Sequence, residues 1–294
     1  MAKWLLLDGY NLAFRSFYAI PDLTRSDGFP TNALHTWVRT LWWLEDNQTP
    51  DRMVAFYDCG AARREQLLPA YKSQRDEAPE AFSKQVPVLK ALAVAMGYGQ
   101  IEQEGMEADD LIGHCAVKLV EEGHTVTIVS ADKDLAQNVC PNLFQLLPPP
   151  TANPKMGWKL LDEAGVEKKF GVSPSQIPEY LALTGDQSDN IPGLPGVGPK
   201  TAVKWLKQYH SLEGILANSG RLKPPRLQNT VHQNANQLRL SLALTELESL
   251  PTLPSLDCAD LDVEALLALL KEYEMHQTRD RAEKRYSTQL VSKK

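Results

Sequence analysis

The chain has 294 residues, 43% of them hydrophobic and 23% charged, which fits a soluble globular protein with one large α/β unit or two smaller ones. The first apolar run, residues 4–7, is too short for a secretion signal, and no later run approaches a membrane span, so a cytoplasmic protein is expected. Four cysteines without a C-x-x-C pair exclude a zinc ribbon and a disulfide framework, and a net charge of −6 argues at first against a nucleic-acid partner.

In chain order, "WLLL" (4–7) reads as a buried strand that ends at Asp8. "RMVAFYD" (52–58) repeats the pattern and ends at Asp58; "HTVTIVSADKD" (124–134) ends at Asp132 and Asp134. Helical periodicity occupies 31–45, 79–96 and 108–122 between these strands. Such alternation predicts a mostly parallel sheet with helices on both faces, whose functional crevice lies beyond the carboxyl ends of the strands. "LFQLLPPPTANPKMGWKLL" (143–161) reads as a further strand, a proline-rich loop and a return segment. A helical module is expected to start near 175 and run to about 260. Residues 262–275 read as a last amphipathic helix, and 278–294 as a basic, frayed tail.

The acids at the strand exits have company. "GMEADDLIGHCA" (105–116) crowds Glu107, Asp109 and Asp110 at a helix start, and "GDQSDN" adds Asp186 and Asp189. Two carboxylates about 5 Å apart repel by about 3 kcal/mol at an effective dielectric near 20. Any single member is explained as a helix cap or turn residue. The set of nine (Asp8, Asp58, Glu107, Asp109, Asp110, Asp132, Asp134, Asp186, Asp189) is not, because no basic residue stands beside them to match. Two Mg²⁺ or Mn²⁺ ions would explain it: oxygen-only ligation suits them, and they would neutralise the acids, activate a water and stabilise a phosphodiester's leaving oxygen. With these nine of the 37 acids set aside, 28 remain against 31 Lys plus Arg, so a phosphate-bearing substrate is no longer excluded.

Two basic elements point the same way. "RREQLLPAYKSQR" (63–75) carries Arg63, Arg64, Tyr71, Lys72 and Arg75, which suit a single-stranded backbone and a stacked base. On a helix, Lys72 and Arg75 would share a face and could polarise the scissile phosphate. "GLPGVGPKTAVKWL" (193–206) places Gly193, Gly196 and Gly198 before Lys200 and a helical run, a pattern suited to a helix–hairpin–helix contact with duplex backbone.

Together "LLLDGYNLAFR", "AFYD", "LPAYKSQR", "EGMEADDLI", "VSADKDLAQ", "LTGDQSDNIPG" and "GVGPKTA" resemble the 5′-3′ exonuclease/flap endonuclease family, in its order and over roughly residues 4–250. The resemblance implies a three-layer, PIN-like α/β nuclease domain (1–174) with a helical arch at about 71–96. A helix–hairpin–helix DNA-binding subdomain (175–260) and a C-terminal helix with a basic tail (261–294) would follow. It implies that Asp8, Asp58, Glu107, Asp109, Asp110 and Asp132 serve a first metal and Asp134, Asp186 and Asp189 a second. Lys72 and Arg75 resemble the basic pair at the foot of the arch; Arg64 and Tyr71 would flank it, and Arg15 would stand near the scissile bond. Gly196, Gly198 and Lys200 would contact the duplex, with a K⁺ ion on main-chain carbonyls there. The implied partner is DNA with 5′ flaps, nicks or ends, met by a monomer that relies on a separate DNA polymerase for gap filling. A PIN-type ribonuclease and a non-catalytic DNA-junction binder are the alternatives. The acidic stretch Asp76, Glu77, Glu80 counts against tight threading of a strand.

Overall fold

The computed structural model describes residues 1–248, 250, 252 and 254–292. Its elements are β1 (Lys3–Asp8), α1 (Gly9–Tyr18), α2 (Asn32–Gln48), β2 (Arg52–Phe56), α3 (Ala62–Leu67), α4 (Glu80–Ala95), β3 (Gly99–Ile101), α5 (Ala108–Glu121), β4 (Thr125–Val129), β5 (Leu143–Leu147), β6 (Lys159–Leu161) and α6 (Glu163–Phe170). There follow α7 (Ile177–Thr184), α8 (Pro199–Tyr209), α9 (Leu212–Ala217), α10 (Gln228–Gln233), α11 (Ala235–Thr245), α12 (Val263–Glu272), α13 (His276–Arg285) and α14 (Ser287–Ser292).

The strands form one sheet in the order β3-β2-β1-β4-β5-β6, parallel except for β6, which returns antiparallel to β5. The expected mostly parallel sheet and the strand–loop–return of 143–161 are both present. Side chains of a strand alternate between faces, and the cores follow that rule. Leu5, Leu7, Met53 and Ala55 face the layer of α1, α2 and α4, whereas Leu6, Val54, Phe56 and Ile128 face α5. Both faces are covered, which is why "WLLL" has no polar alternation. Burying each of these leucines contributes roughly 2 kcal/mol.

Register positions the acids. Asp8 pairs with Phe56, and Leu7 with Val129, so β1, β2 and β4 end level. The chain leaves all three on one rim, with Asp58 two residues past β2 and Ser130 directly past β4. Gly9 permits this packing: a Cβ there would fall within 2.7 Å of the Phe56 carbonyl oxygen and of the Tyr57 ring. α4 is fastened beside the rim by a buried polar chain. Gln85 accepts from the Ala33 amide (2.9 Å) and donates to Asn32 (3.0 Å), and Asn32 donates to the Phe17 carbonyl (2.7 Å).

A second core, from Ala136 and Leu161 to Leu238 with Trp205 at its centre, builds the helical module of α6 to α11. The structure corrects two expectations. Residues 71–74 form turns and 75–79 an irregular segment, so the helix of the expected arch begins only at Glu80: Lys72 has φ +52°, and Pro79 stands at the helix cap. The C-terminal segment is not frayed. α12 and α13 return to the first core, where Val263, Leu266, Leu270, Met275 and Ala282 are buried. Trp42 donates to the Tyr286 hydroxyl (2.8 Å), and Arg285 pairs with Glu45 and Asp46. Charge on the outer face of α13 hides this inner face from a reading by composition. Lys293 and Lys294 of the expected tail lie outside the described residues. Among the described residues, no helix is long and apolar enough to cross a membrane.

Because Tyr286 is 6% exposed and bonded to Trp42, Tyr286→Ala is expected to cost about 3 kcal/mol, read as a shift of the urea midpoint. A loose tail would leave that midpoint unchanged.

Candidate active site

A cleft of about 760 Å³ opens on the rim where the parallel strands end. Asp8, Asp58, Asp109 and Asp132 line its floor, and Lys72, Arg75 and Arg15 its walls, with Phe82, Ser83 and Val86 of α4 opposite. Asp8 also caps α1: one oxygen accepts from the Asn11 amide (3.1 Å), and the other from the Ser130 hydroxyl (2.7 Å). Asp58 accepts from Ala108 (2.8 Å), the first amide of α5, so the helix dipole favours its charge. Capping and site placement coincide in both residues.

Asp132 links this group to a second one. It lies in a loop held by Ser130, which accepts from the Asp132 amide, and by Gln145, which donates to the Ser130 and Asp132 carbonyls. Beyond it, Asp134, Asp186 and Asp189 bring one carboxylate oxygen each within 4.8 Å of one another. Asp186 and Asp189 come from a loop pinned by mutual backbone bonds between Asp186 and Ile191 (2.8 and 2.9 Å). Gly193 lies so close to the Gly185 amide that a Cβ would meet it at 2.5 Å.

The expectation that the acids lack basic partners is corrected. Arg64 bonds Glu107 and Asp110, Lys72 bonds Glu107, Arg75 bonds Asp189, and Lys133 bonds Asp186. Sequence spacing conceals these pairs because the partners stand 35 to 114 residues apart. Glu107 and Asp110 thus sit behind the cleft on a buried guanidinium that also donates to the carbonyls of Leu244 and Glu246. Arg64 is 5% exposed, and the Tyr71 hydroxyl is directed at Glu107 and Asp189 (3.2 Å each). Neither offers a surface to a nucleic-acid strand, contrary to expectation; both buttress the acids. Lys72 and Arg75 do reach the cleft, though from a turn and not from a helix face. Arg15 is held by the Pro149 carbonyl (2.9 Å) and Asn11. Gly196 and Gly198 lie on the α7–α8 connection and Lys200 in the first turn of α8, all outside the cleft, and Lys200, Lys204 and Lys207 are exposed along α8. Residues that sequence reasoning missed are Asn11, Ser130, Lys133 and Gln145. The first three stand inside "DGYN" and "SADKD", where adjacency to the acids was the available signal.

Burial and mutual repulsion raise the proton affinity of the uncompensated acids. Burial, against the bond from Ser130 and aided by Asp58, pushes Asp8 up to about 7. Burial and then Asp132, Asp8 and Asp58 raise Asp109 well above the carboxylate range. Burial also raises Asp132, and burial with Asp132, Asp189 and Asp186 raises Asp134. Asp186 goes the other way: burial is outweighed by Lys133 and Ser188, which hold it low. The buried Oδ1 of Asp134 has no hydrogen-bond partner. An orphaned oxygen beside two further carboxylates, without a histidine or cysteine in the group, fits a hard divalent cation.

Family models match nearly the whole chain: a 5′-3′ exonuclease N-terminal resolvase-like domain over residues 3–171, and a 5′-3′ exonuclease C-terminal SAM fold over 172–266. A 5′-3′ exonuclease of Aquifex aeolicus (strain VF5) is 42% identical over 219 residues, 74% of this chain and 73% of that protein. The thermostable DNA polymerase I of Thermus thermophilus is 36% identical over 83% of this chain, which spans only 28% of the polymerase. Among solved structures, T5 5′-exonuclease with bound zinc has a TM-score of 0.67 at 20% identity, covering 92% of this chain and 96% of that one. The catalytic core of Rad2 in complex with DNA substrate has 0.64 at 15%, covering 96% and 91%. These two establish likeness of fold.

The raised acids set a pH dependence. A folded-state value above the unfolded one means that the native protein binds more protons between about pH 4 and 7, so stability falls as pH rises through that window. In EDTA the melting temperature is expected to drop from pH 5 to pH 8, and Mg²⁺ to restore it at pH 8 with little effect at pH 5. A metal-free protein that melts at the same temperature at both pH values would contradict the charge balance described.

Proposed function

The chain belongs to the 5′-3′ exonuclease family, and from that premise we propose a structure-selective, divalent-metal-dependent nuclease that hydrolyses DNA phosphodiesters near 5′ single-strand/duplex junctions. The observation that carries this reading is the cleft floored by Asp8, Asp58, Asp109 and Asp132, with Lys72 and Arg75 on its wall. The α/β part, residues 1–174, would do the chemistry, and the helical part, 175–260, would hold the duplex.

In this reading Asp8, Asp58, Asp109 and Asp132 hold one Mg²⁺ or Mn²⁺, and Asp134, Asp186 and Asp189 a second. Glu107 and Asp110 act through Arg64 and Lys72, as the anchors of the basic side. Such ions, when bound, supply charge neutralisation and water activation for phosphodiester hydrolysis. The chain's own groups do the rest. Lys72 and Arg75 are already fixed by Glu107 and Asp189, so a phosphate entering the cleft meets positioned positive charge that needs no reorganisation. Arg15, fixed by Asn11 and Pro149, adds charge on the wall next to α1. Phe14 and Phe82, stacked at 4.0 Å, keep that end of the cleft apolar and rigid. On the helical module, Gly198 precedes α8 with open space at its Cα, and the exposed lysines follow. A phosphate backbone suits that helix start. A K⁺ ion on main-chain carbonyls of 193–198 belongs to the same reading, as does a monomer working beside a separate DNA polymerase.

Asp132→Ala and Asp134→Ala are each expected to slow cleavage of a 5′-labelled flap at least about a hundredfold, beyond the usual loss from an outer-shell residue, while flap binding is retained. A panel of flap, nick and blunt duplex, in DNA and RNA and with and without Mg²⁺, separates this reading from its alternatives. RNA preference would favour a ribonuclease; binding without cleavage would favour a junction binder. Lys200→Ala should weaken binding uniformly across sequences and reduce the salt slope by about one.

A further inference from the structure

One basic residue of the site has no role in the reading above. Lys133 stands between Asp132 and Asp134 at the start of a short 3-10 turn, Asp134–Asn138, and its ammonium lies 2.8 Å from Asp186 Oδ2. That carboxylate is already satisfied on its other oxygen, which accepts from the Ser188 amide (2.9 Å) and hydroxyl (2.6 Å). Oδ2 is therefore the oxygen left for a cation, and Lys133 holds it. Two features separate this contact from an ordinary structural ion pair. The Lys133 side chain is a third exposed, whereas Asp186 is nearly buried, so the ammonium can withdraw to water and the carboxylate cannot. The neighbouring Asp134 Oδ1 has no partner, so the Lys133 ammonium on Asp186 and the Arg75 guanidinium on Asp189 leave the third carboxylate of the triad without a counter-charge. Of the other basic neighbours, Arg64 is buried and fixed by five bonds, and so is unsuited to leave, and Arg75 bonds the Asp189 Oδ1 and the Ser188 carbonyl from the cleft wall, where it faces the phosphate.

We propose that Lys133 is a tethered counter-cation that occupies the Asp134–Asp186–Asp189 group in place of a divalent ion and is displaced when one enters. The inference rests on the two-ion reading of the site and adds a positioning residue to it. Its consequence is asymmetry. Among the described residues no basic side chain forms an ion pair with the cleft-floor carboxylates, because Lys72 and Arg75 are held by Glu107 and Asp189, so the first ion binds tightly and the second weakly. Occupation of the second site then follows the free divalent concentration. Two opposing effects follow from the one contact: Lys133 stabilises the metal-free protein and lowers the affinity of the second site.

The test is a Mn²⁺ titration of the full chain without DNA, read by electron paramagnetic resonance as free Mn²⁺, on wild type, Lys133→Met, Lys133→Arg and Asp189→Asn. Met keeps the length and removes the charge. The expected result is two sites in wild type, the weaker tightened at least tenfold in K133M, unchanged or weakened in K133R and lost in D189N. In EDTA at pH 8, K133M should melt below wild type, with a larger recovery on adding Mn²⁺. A purely structural lysine would loosen the second site when removed, not tighten it. A second site of equal or lower affinity in K133M overturns the competition alone. One ion in every folded variant overturns the two-ion reading and the proposal with it. Should K133M not fold, a K133R site several-fold tighter than wild type would overturn the proposal by itself.

Discussion

Carboxylates gathered at the ends of parallel strands repel one another, and the rest of this structure can be understood as the means of tolerating that repulsion. The fold imposes the crowding, because level strand ends deliver Asp8, Asp58 and the 130–134 loop to one rim. Asp58 is met by the first amide of α5, and the other eight carboxylates are handled in one of three ways. Glu107 and Asp110 are neutralised permanently by a buried arginine. Asp186 and Asp189 are paired with cations that retain access to solvent. Asp8, Asp109, Asp132 and Asp134 stay largely uncompensated and are driven toward protonation. This gradation, from fixed to exchangeable to missing counter-charge, distinguishes a working site from a structural ion-pair network.

Rigidity supports the arrangement at some distance. The Gln85–Asn32 chain fastens α4 beside the cleft, and Gly9 lets α1 begin hard against β2. α12 and α13 close the outer face of the layer that α4 and α2 share. Carboxylates held by such a frame, as Asp8 is by Asn11 and Ser130 and Asp58 by Ala108, stay beside their neighbours, so repulsion persists until a cation removes it.

Much of this was legible in the sequence because it depends on local pattern. An apolar run that stops at an aspartate reports both a buried strand and what stands at its exit, and three such runs predicted the rim. The proline-rich return before β6 was also readable. What was not legible depends on long-range pairing. Arg64 and Tyr71 look like exposed basic and aromatic residues beside a binding segment, yet Arg64 folds under Asp110, 46 residues away, and becomes part of the frame. Lys72 and Arg75 suggest a helix face by spacing, but the flanking prolines Pro69 and Pro79 and a left-handed Lys72 keep that stretch out of a helix. The basic α13 reads as a tail because only a few of its residues, Thr278 and Ala282 among them, face the core.

The claim beneath all of this is that bound divalent cations, held by side chains from distant segments, cancel the repulsion on the rim. Anomalous scattering from crystals soaked in Mn²⁺ tests it most directly. The account predicts two peaks, one among Asp8, Asp58, Asp109 and Asp132 and one among Asp134, Asp186 and Asp189, with the Lys133 ammonium drawn off Asp186. A map without peaks in either group, at Mn²⁺ concentrations that support cleavage, would contradict it.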